Sequence, residues 1–154
     1  MMPGPAALRR LGTALLALLL AASGACARRA DPPASGAGST KVAFAALTLG
    51  DALERARAEN RLVMVDVYTD WCGWCKKLDS DTYGDARVAA ALENVISIRV
   101  NAEKGGERVA EKYRVRGFPT VLFLSGSGDI VEKVEGYVSA EEMLRIVASL
   151  RNRV

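Results

Sequence analysis

The stretch Trp71-Cys72-Gly73-Trp74-Cys75-Lys76 constrains this chain more than any other. Two cysteines separated by two residues follow an apolar run, Leu62 to Tyr68, and stand at the mouth of a predicted helix. That is the layout of a dithiol that opens and closes a disulfide. A helix start presents unpaired backbone N–H groups and the positive end of the peptide dipoles, so a thiol placed there ionises more readily than a free one. Cys72 is therefore the expected attacking sulfur and should be reachable from solvent. Cys75, one turn inside the helix, should be shielded and close enough to attack a mixed disulfide formed at Cys72.

Other uses of the pair fit less well. The chain has no histidine and three cysteines, Cys26, Cys72 and Cys75. A structural zinc site wants four thiolate or imidazole ligands, so no metal is expected. The formal charge of +3 comes from the N-terminal part, because setting aside Arg9, Arg10, Arg28, Arg29 and Asp31 leaves acids and bases balanced. With no basic stripe interleaved with aromatics, nucleic acid is not an expected partner. At 154 residues and 50% hydrophobic content, one domain with a substantial core is expected.

Residues 1–25 read as a secretory leader, with Arg9 and Arg10 ahead of an apolar segment from Leu11 to Ala22 that is short for a membrane span. Ser23-Gly24-Ala25-Cys26 resembles a lipoprotein box that would make Cys26 an acylated N-terminus and tether the protein to a membrane. Ala25-Cys26-Ala27 equally fits ordinary leader cleavage, with Cys26 a chance cysteine beside the cut. The lipoprotein reading is preferred because an unpaired cysteine at that boundary needs a reason. Residues 26–41, with Pro32-Pro33 and a run of Ala, Gly and Ser, read as a flexible linker. About 15 such residues would span about 20 Å.

The folded domain is expected over residues 42–154. Thr48-Leu49-Gly50-Asp51 opens a predicted helix to about Asn60, and Leu62 to Tyr68 reads as a central strand interrupted only by Asp66. A helix after the cysteines should run to about Tyr83, break at Gly84-Asp85 and resume through Val88 and Leu92. Val95 to Val100 alternates as a strand, and Gly105 to Tyr113 is weakly helical. Thr120 to Leu124 and Ile130 to Glu135 form a predicted hairpin, and Ser139-Ala140-Glu141-Glu142 caps a last helix carrying Met143, Ile146, Val147 and Leu150 inward. This order implies an α/β fold, a mixed sheet between helices.

The string from Val65 to Lys77 resembles the thioredoxin superfamily, and most of all the periplasmic thioredoxin-like domain of bacterial thiol:disulfide interchange proteins, over roughly residues 46–150. The resemblance implies the thioredoxin fold, with the cysteine pair at a helix N-terminus. It implies that Asp66, an acid in an apolar strand whose proton affinity burial should raise, takes a proton from Cys75 and returns it. Arg99 stands where the family keeps a lysine near this acid, and reads as its charge partner or as an exposed strand arginine. Gly117-Phe118-Pro119-Thr120 matches the family's Gly-x-Pro-Thr loop, which implies a cis bond at Pro119 and a Phe118 backbone that pairs with an extended substrate; without the resemblance the bond would be taken as trans. Trp71, Gly73 and Trp74 belong to the substrate-binding rim, with Trp71 expected to be partly buried and Trp74 exposed. Lys76 and Lys77 read more simply as solvated helix charges, and Tyr83, Tyr113 and Tyr137 as packing residues.

The expected function is an exported thiol-disulfide oxidoreductase on the periplasmic side of a bacterial envelope, acting as a monomer without a cofactor. Its expected partners are proteins with disulfides and a membrane dithiol that supplies electrons. Gly73-Trp74 lacks the histidine that oxidising and isomerising relatives place there, which favours reduction. The alternatives are net disulfide formation or isomerisation, and a binding module whose disulfide is structural.

Overall fold

The computed structural model of the protein describes residues 41–151. The predicted leader, Cys26 and the linker up to residue 40 lie outside the described residues, as do residues 152–154.

Local sequence signals set the helix ends. Helix α1 spans Leu49–Glu59; the Thr48 hydroxyl accepts the Asp51 N–H at 3.2 Å, and Asn60 in the left-handed region (φ 50°) stops it. Strand β1 is Val63–Tyr68 and leads into helix α2, Gly73–Asp81. The predicted interruption at Gly84-Asp85 is present, and Asp85 caps α3, Ala86–Ala91, through the Arg87 N–H at 2.7 Å. Strand β2, Ile96–Asn101, and the short helix α4, Glu107–Lys112, follow. Strands β3, Thr120–Leu124, and β4, Ile130–Glu135, form the expected hairpin, and the Ser139 hydroxyl caps α5, Ala140–Leu150, from the Glu142 N–H at 3.3 Å.

The sheet order is β2-β1-β3-β4, with β1 parallel to β2, antiparallel to β3, and β3 antiparallel to β4. Strand β1 is therefore central, which explains its nearly continuous apolar run: both its faces are covered. Val63, Val65 and Val67 pack with Ile98, Leu122 and Leu124 under α1 and α4, and Met64 packs with Leu78, Val88, Val121, Phe123 and Met143 under α2, α3 and α5. Two helical layers thus enclose the sheet in the thioredoxin arrangement. Among the described residues, no helix is long and apolar enough to cross a membrane.

The register sets the site. Val67, near the end of β1, lies opposite Thr120 at the start of β3, so the chain leaving β1 toward Cys72 and the chain entering β3 from Pro119 meet at one edge of the molecule. The turn after β2 joins them. A Cβ at Gly106 would lie 2.3 Å from Val100 Cγ1 and 2.4 Å from the Asn101 carbonyl, so this tight return from β2 into α4 admits only glycine.

Candidate active site

Cys72 is the N-cap of α2, and the two cysteines form a disulfide with Cα atoms 5.3 Å apart. Cys72 Sγ accepts the Cys75 N–H at 3.0 Å, one of the helix's first unpaired donors, and the Cys72 N–H itself donates to the Thr69 carbonyl at 3.2 Å. The sulfur of residue 72 thus already occupies the position in which an anion would be stabilised by the helix start.

One expectation differs. Cys72 was expected to be reachable and Cys75 shielded, yet in the disulfide state they are 4% and 3% exposed. The reason is geometric: closing the bond and capping the helix both turn the Cys72 sulfur inward, over the first turn. What distinguishes the two is therefore their place on the helix rather than their exposure.

Asp66 is 1% exposed and lies across from Arg99 in the β1–β2 register. Arg99 Nε donates to Asp66 Oδ2 at 3.0 Å, which decides between the two readings of Arg99 in favour of the charge partner. The guanidinium also pairs with Asp79 Oδ1 of α2 at 3.1 Å and sits over the rings of Tyr68 at 4.4 Å and Phe44 at 5.1 Å. Burial pushes the Asp66 carboxyl up from 3.8 to about 6; the Arg99 charge works against that rise and the Asp79 charge adds to it. Burial also works against the Arg99 charge, but the Asp66 and Asp79 carboxylates outweigh it and raise its pKa. An acid that titrates near neutrality can both accept and return a proton at working pH.

The Phe118–Pro119 bond is cis, as the resemblance implied. Pro119 is buried, and its carbonyl accepts the Gly136 N–H at 2.8 Å. The Phe118 backbone N–H and C=O have no hydrogen-bond partner among the described residues, and its ring meets Trp71 edge-on at 6.0 Å.

Trp71 is not the partly buried support that was expected. It is 68% exposed, as Trp74 is at 60%, because its indole N–H is drawn outward to both carboxylate oxygens of Glu103 at 3.0 Å. Glu103 stands in the turn after β2, where Asn101 bridges the Asp70 carboxylate and the Glu103 N–H, both at 2.9 Å. Trp74 lies over Tyr137 at 5.7 Å, and Trp74, Phe118, Gly136 and Tyr137 line an open cavity of about 340 Å³ beside the disulfide. Gly73 is exposed between the cysteines with open space around it. Sequence reading missed Glu103, Asn101 and Asp79, because each acts through a partner distant along the chain. Only the spacing of Asp79, one turn beyond Cys75 on the same helix, offered a signal. Lys77 pairs with Asp81 and contributes no contact to the sulfurs.

A family model described as a thioredoxin-like domain matches residues 49–151. The thiol:disulfide interchange protein DsbD of Haemophilus influenzae is 29% identical over 109 residues, which are 66% of this chain and 19% of that protein. The chain thus spans about a fifth of the length of the curated relatives it matches. Among solved structures, a Bacteroides thetaiotaomicron protein assigned provisionally to the disulphide-isomerases is 36% identical with a TM-score of 0.63, covering 72% of this chain and 93% of that one. The reduced C-terminal domain of Neisseria meningitidis DsbD is 27% identical with a TM-score of 0.56, covering 66% and 92%.

Proposed function

The chain belongs to the thioredoxin-like domain family of thiol:disulfide oxidoreductases, and on that premise we propose that it reduces disulfides of exported proteins through Cys72 and Cys75. The observation that carries the reading is the Cys72 sulfur at the N-cap of α2, accepting the Cys75 N–H at 3.0 Å. In the reduced protein the same N–H and helix dipole stabilise a Cys72 thiolate.

The Cys72 thiolate attacks one sulfur of a substrate disulfide, forming a mixed disulfide and expelling the other sulfur as a thiolate that takes a proton from solvent. Cys75 then loses its proton to Asp66 and attacks Cys72 Sγ. The 72–75 disulfide forms, the second substrate sulfur leaves as a thiol after protonation, and two electrons have moved from the protein to the substrate. Restoring the dithiol needs two electrons from another dithiol, and a membrane protein facing the same compartment is the donor we propose, in keeping with the likeness to the DsbD domains. Export rests on the leader read at residues 1–25, and tethering on acylation at Cys26.

The substrate's extended segment is received by the Phe118 backbone, whose N–H and C=O are free to pair with it, and by the exposed faces of Trp71 and Trp74 with Gly73 between them. Isomerisation is the second reading, favoured by the 36% identity to the Bacteroides protein. The reduction potential separates the two: a value near about −270 mV supports reduction and one near about −180 mV supports isomerisation, while one near about −120 mV would instead indicate net oxidation. Insulin reduction tests the chemistry. Cys72→Ser should abolish it, and Cys75→Ser should accumulate the mixed disulfide. A Cys72→Ser protein that still reduces insulin would end the proposal.

A further inference from the structure

Arg99 holds one oxygen of Asp66 and leaves the other unexplained. Asp66 Oδ1 is buried with no hydrogen-bond partner among the described residues, and so is the Tyr83 hydroxyl. An unpaired buried polar atom forfeits its hydration for nothing, so two of them in one layer require an account.

Both groups lie on the same side of the sheet. Asp66 follows Met64 by two residues on β1 and so shares its face, and Met64 belongs to the apolar cluster that contains Tyr83. Tyr83 is 3% exposed and held from both ends: its carbonyl accepts the Val42 N–H at 2.9 Å, and its ring meets Phe44 edge-on at 5.1 Å. Phe44 in turn carries the Arg99 guanidinium, which holds the other oxygen of Asp66. Packing therefore holds the phenol ring and the carboxyl in one buried layer, linked through Phe44 and Arg99, independently of any bond between them. The chemistry matches, since a phenol donates and a carboxylate accepts.

We propose that the Tyr83 hydroxyl is linked to Asp66 Oδ1 through one enclosed water and positions the carboxyl that serves the dithiol. Tyr83 is then a positioning residue for proton transfer, a role that rests on the reading of Asp66 given above. The charged and titratable groups around Asp66 are Arg99 on β2, Tyr68 on β1, Asp79 on α2 and Tyr83 after α2, while α3 and α5 contribute Val88 and Met143 to this layer. Burial first, and then the Asp66 charge, hold the Tyr83 phenol well above its ordinary pKa, so it remains a donor throughout the working range. A donor on Oδ1 acts with Arg99 to favour the ionised carboxyl, and its removal leaves burial and Asp79 less opposed.

The test reads Asp66 itself. Carboxyl carbon NMR of isotopically labelled oxidised protein gives its titration midpoint, with Asp66→Asn to assign the signal. Tyr83→Phe deletes only the hydroxyl and should raise the midpoint by about one pH unit, a tenfold change in proton affinity. An unmoved midpoint overturns the proposal, because a merely structural Tyr83 would lose its hydroxyl without Asp66 responding. Should the variant fail to fold, the ring Cζ signal of Tyr83 in the unmutated protein decides: it should shift with the Asp66 midpoint and stop doing so in Asp66→Asn, and a signal indifferent to Asp66 overturns the proposal equally. Failure of the relay reading looks different. In that case Asp66→Asn leaves the pH profile of thiol alkylation in the reduced protein unchanged, while the effect of Tyr83 on the Asp66 titration persists.

Discussion

The two faces of β1 belong to the same six residues and are built to opposite ends. On one, Val63, Val65 and Val67 meet Ile98, Leu122 and Leu124 in a layer with no buried charge. On the other, Met64 is followed by Asp66 and the half-buried Tyr68, and Arg99 lies beside them between two aromatic rings. The first face stabilises: a fully buried valine or leucine contributes about 1.5–3 kcal/mol. The second gives some of that up to keep a titratable carboxyl on the strand that leads to the dithiol. Stability and chemistry are divided between the two sides of one strand, and its period of two keeps them apart.

Moving the acid across the strand should have the largest effect. Val65→Asp places a carboxylate among apolar side chains with no arginine to meet it, and should cost more than about 4 kcal/mol and remove cooperative unfolding in urea. A stable Val65→Asp protein would mean that the two faces are not so different.

Deleting the acid should do the reverse. The folded-state pKa of Asp66 is raised from 3.8 to about 6, so its proton is held more tightly in the folded state. The stability this confers is complete below about pH 3.8 and is lost as pH rises through 6. Asp66→Asn should therefore match the original protein below pH 4 and exceed it by about 3 kcal/mol above pH 7. Urea midpoints across that range check the prediction, and parallel curves would contradict it. The same variant should slow insulin reduction.

Arg99→Leu tests what keeps the second face tolerable. Without the cation 3.0 Å from Oδ2, the Asp66 midpoint should rise further by about one pH unit or more, and the stability loss with rising pH, which still starts at the unfolded-state pKa, should extend to higher pH and be larger. A carbon-13 titration of the carboxyl reads this directly. The smallest effect on stability should come from the rim. Trp71→Ala removes an exposed ring and should change stability by less than about 0.5 kcal/mol. It should slow reduction of protein disulfides while leaving a small disulfide such as oxidised glutathione unaffected, and equal slowing of both would place Trp71 outside substrate docking.

Element order, the hairpin and the caps of α1 and α5 were legible because each is written in neighbouring residues: Thr48 with Asp51, Ser139 with Glu142. The cysteine pair and Asp66 were legible because a reactive motif and a lone acid stand out against an apolar strand. The orientation of Trp71 was not. It depends on Glu103, which is 32 residues away along the chain and reaches the indole only through the turn after β2. Arg99 gave an ambiguous signal for a similar reason, since alternation along β2 fixes its face but not whether that face meets solvent or Asp66.

By itself the sequence determined which residues are the candidates for the chemistry and which local structure bears them, because capping, periodicity and motif spacing act over a few residues. The tertiary structure alone decided how those groups are tuned: the carboxyl near pH 6, the arginine held between rings and two acids, the buried sulfurs, the outward tryptophan. Each of these depends on burial and on charges brought together by sheet register, and the free energy of a charge is set by what surrounds it in space rather than by its neighbours along the chain.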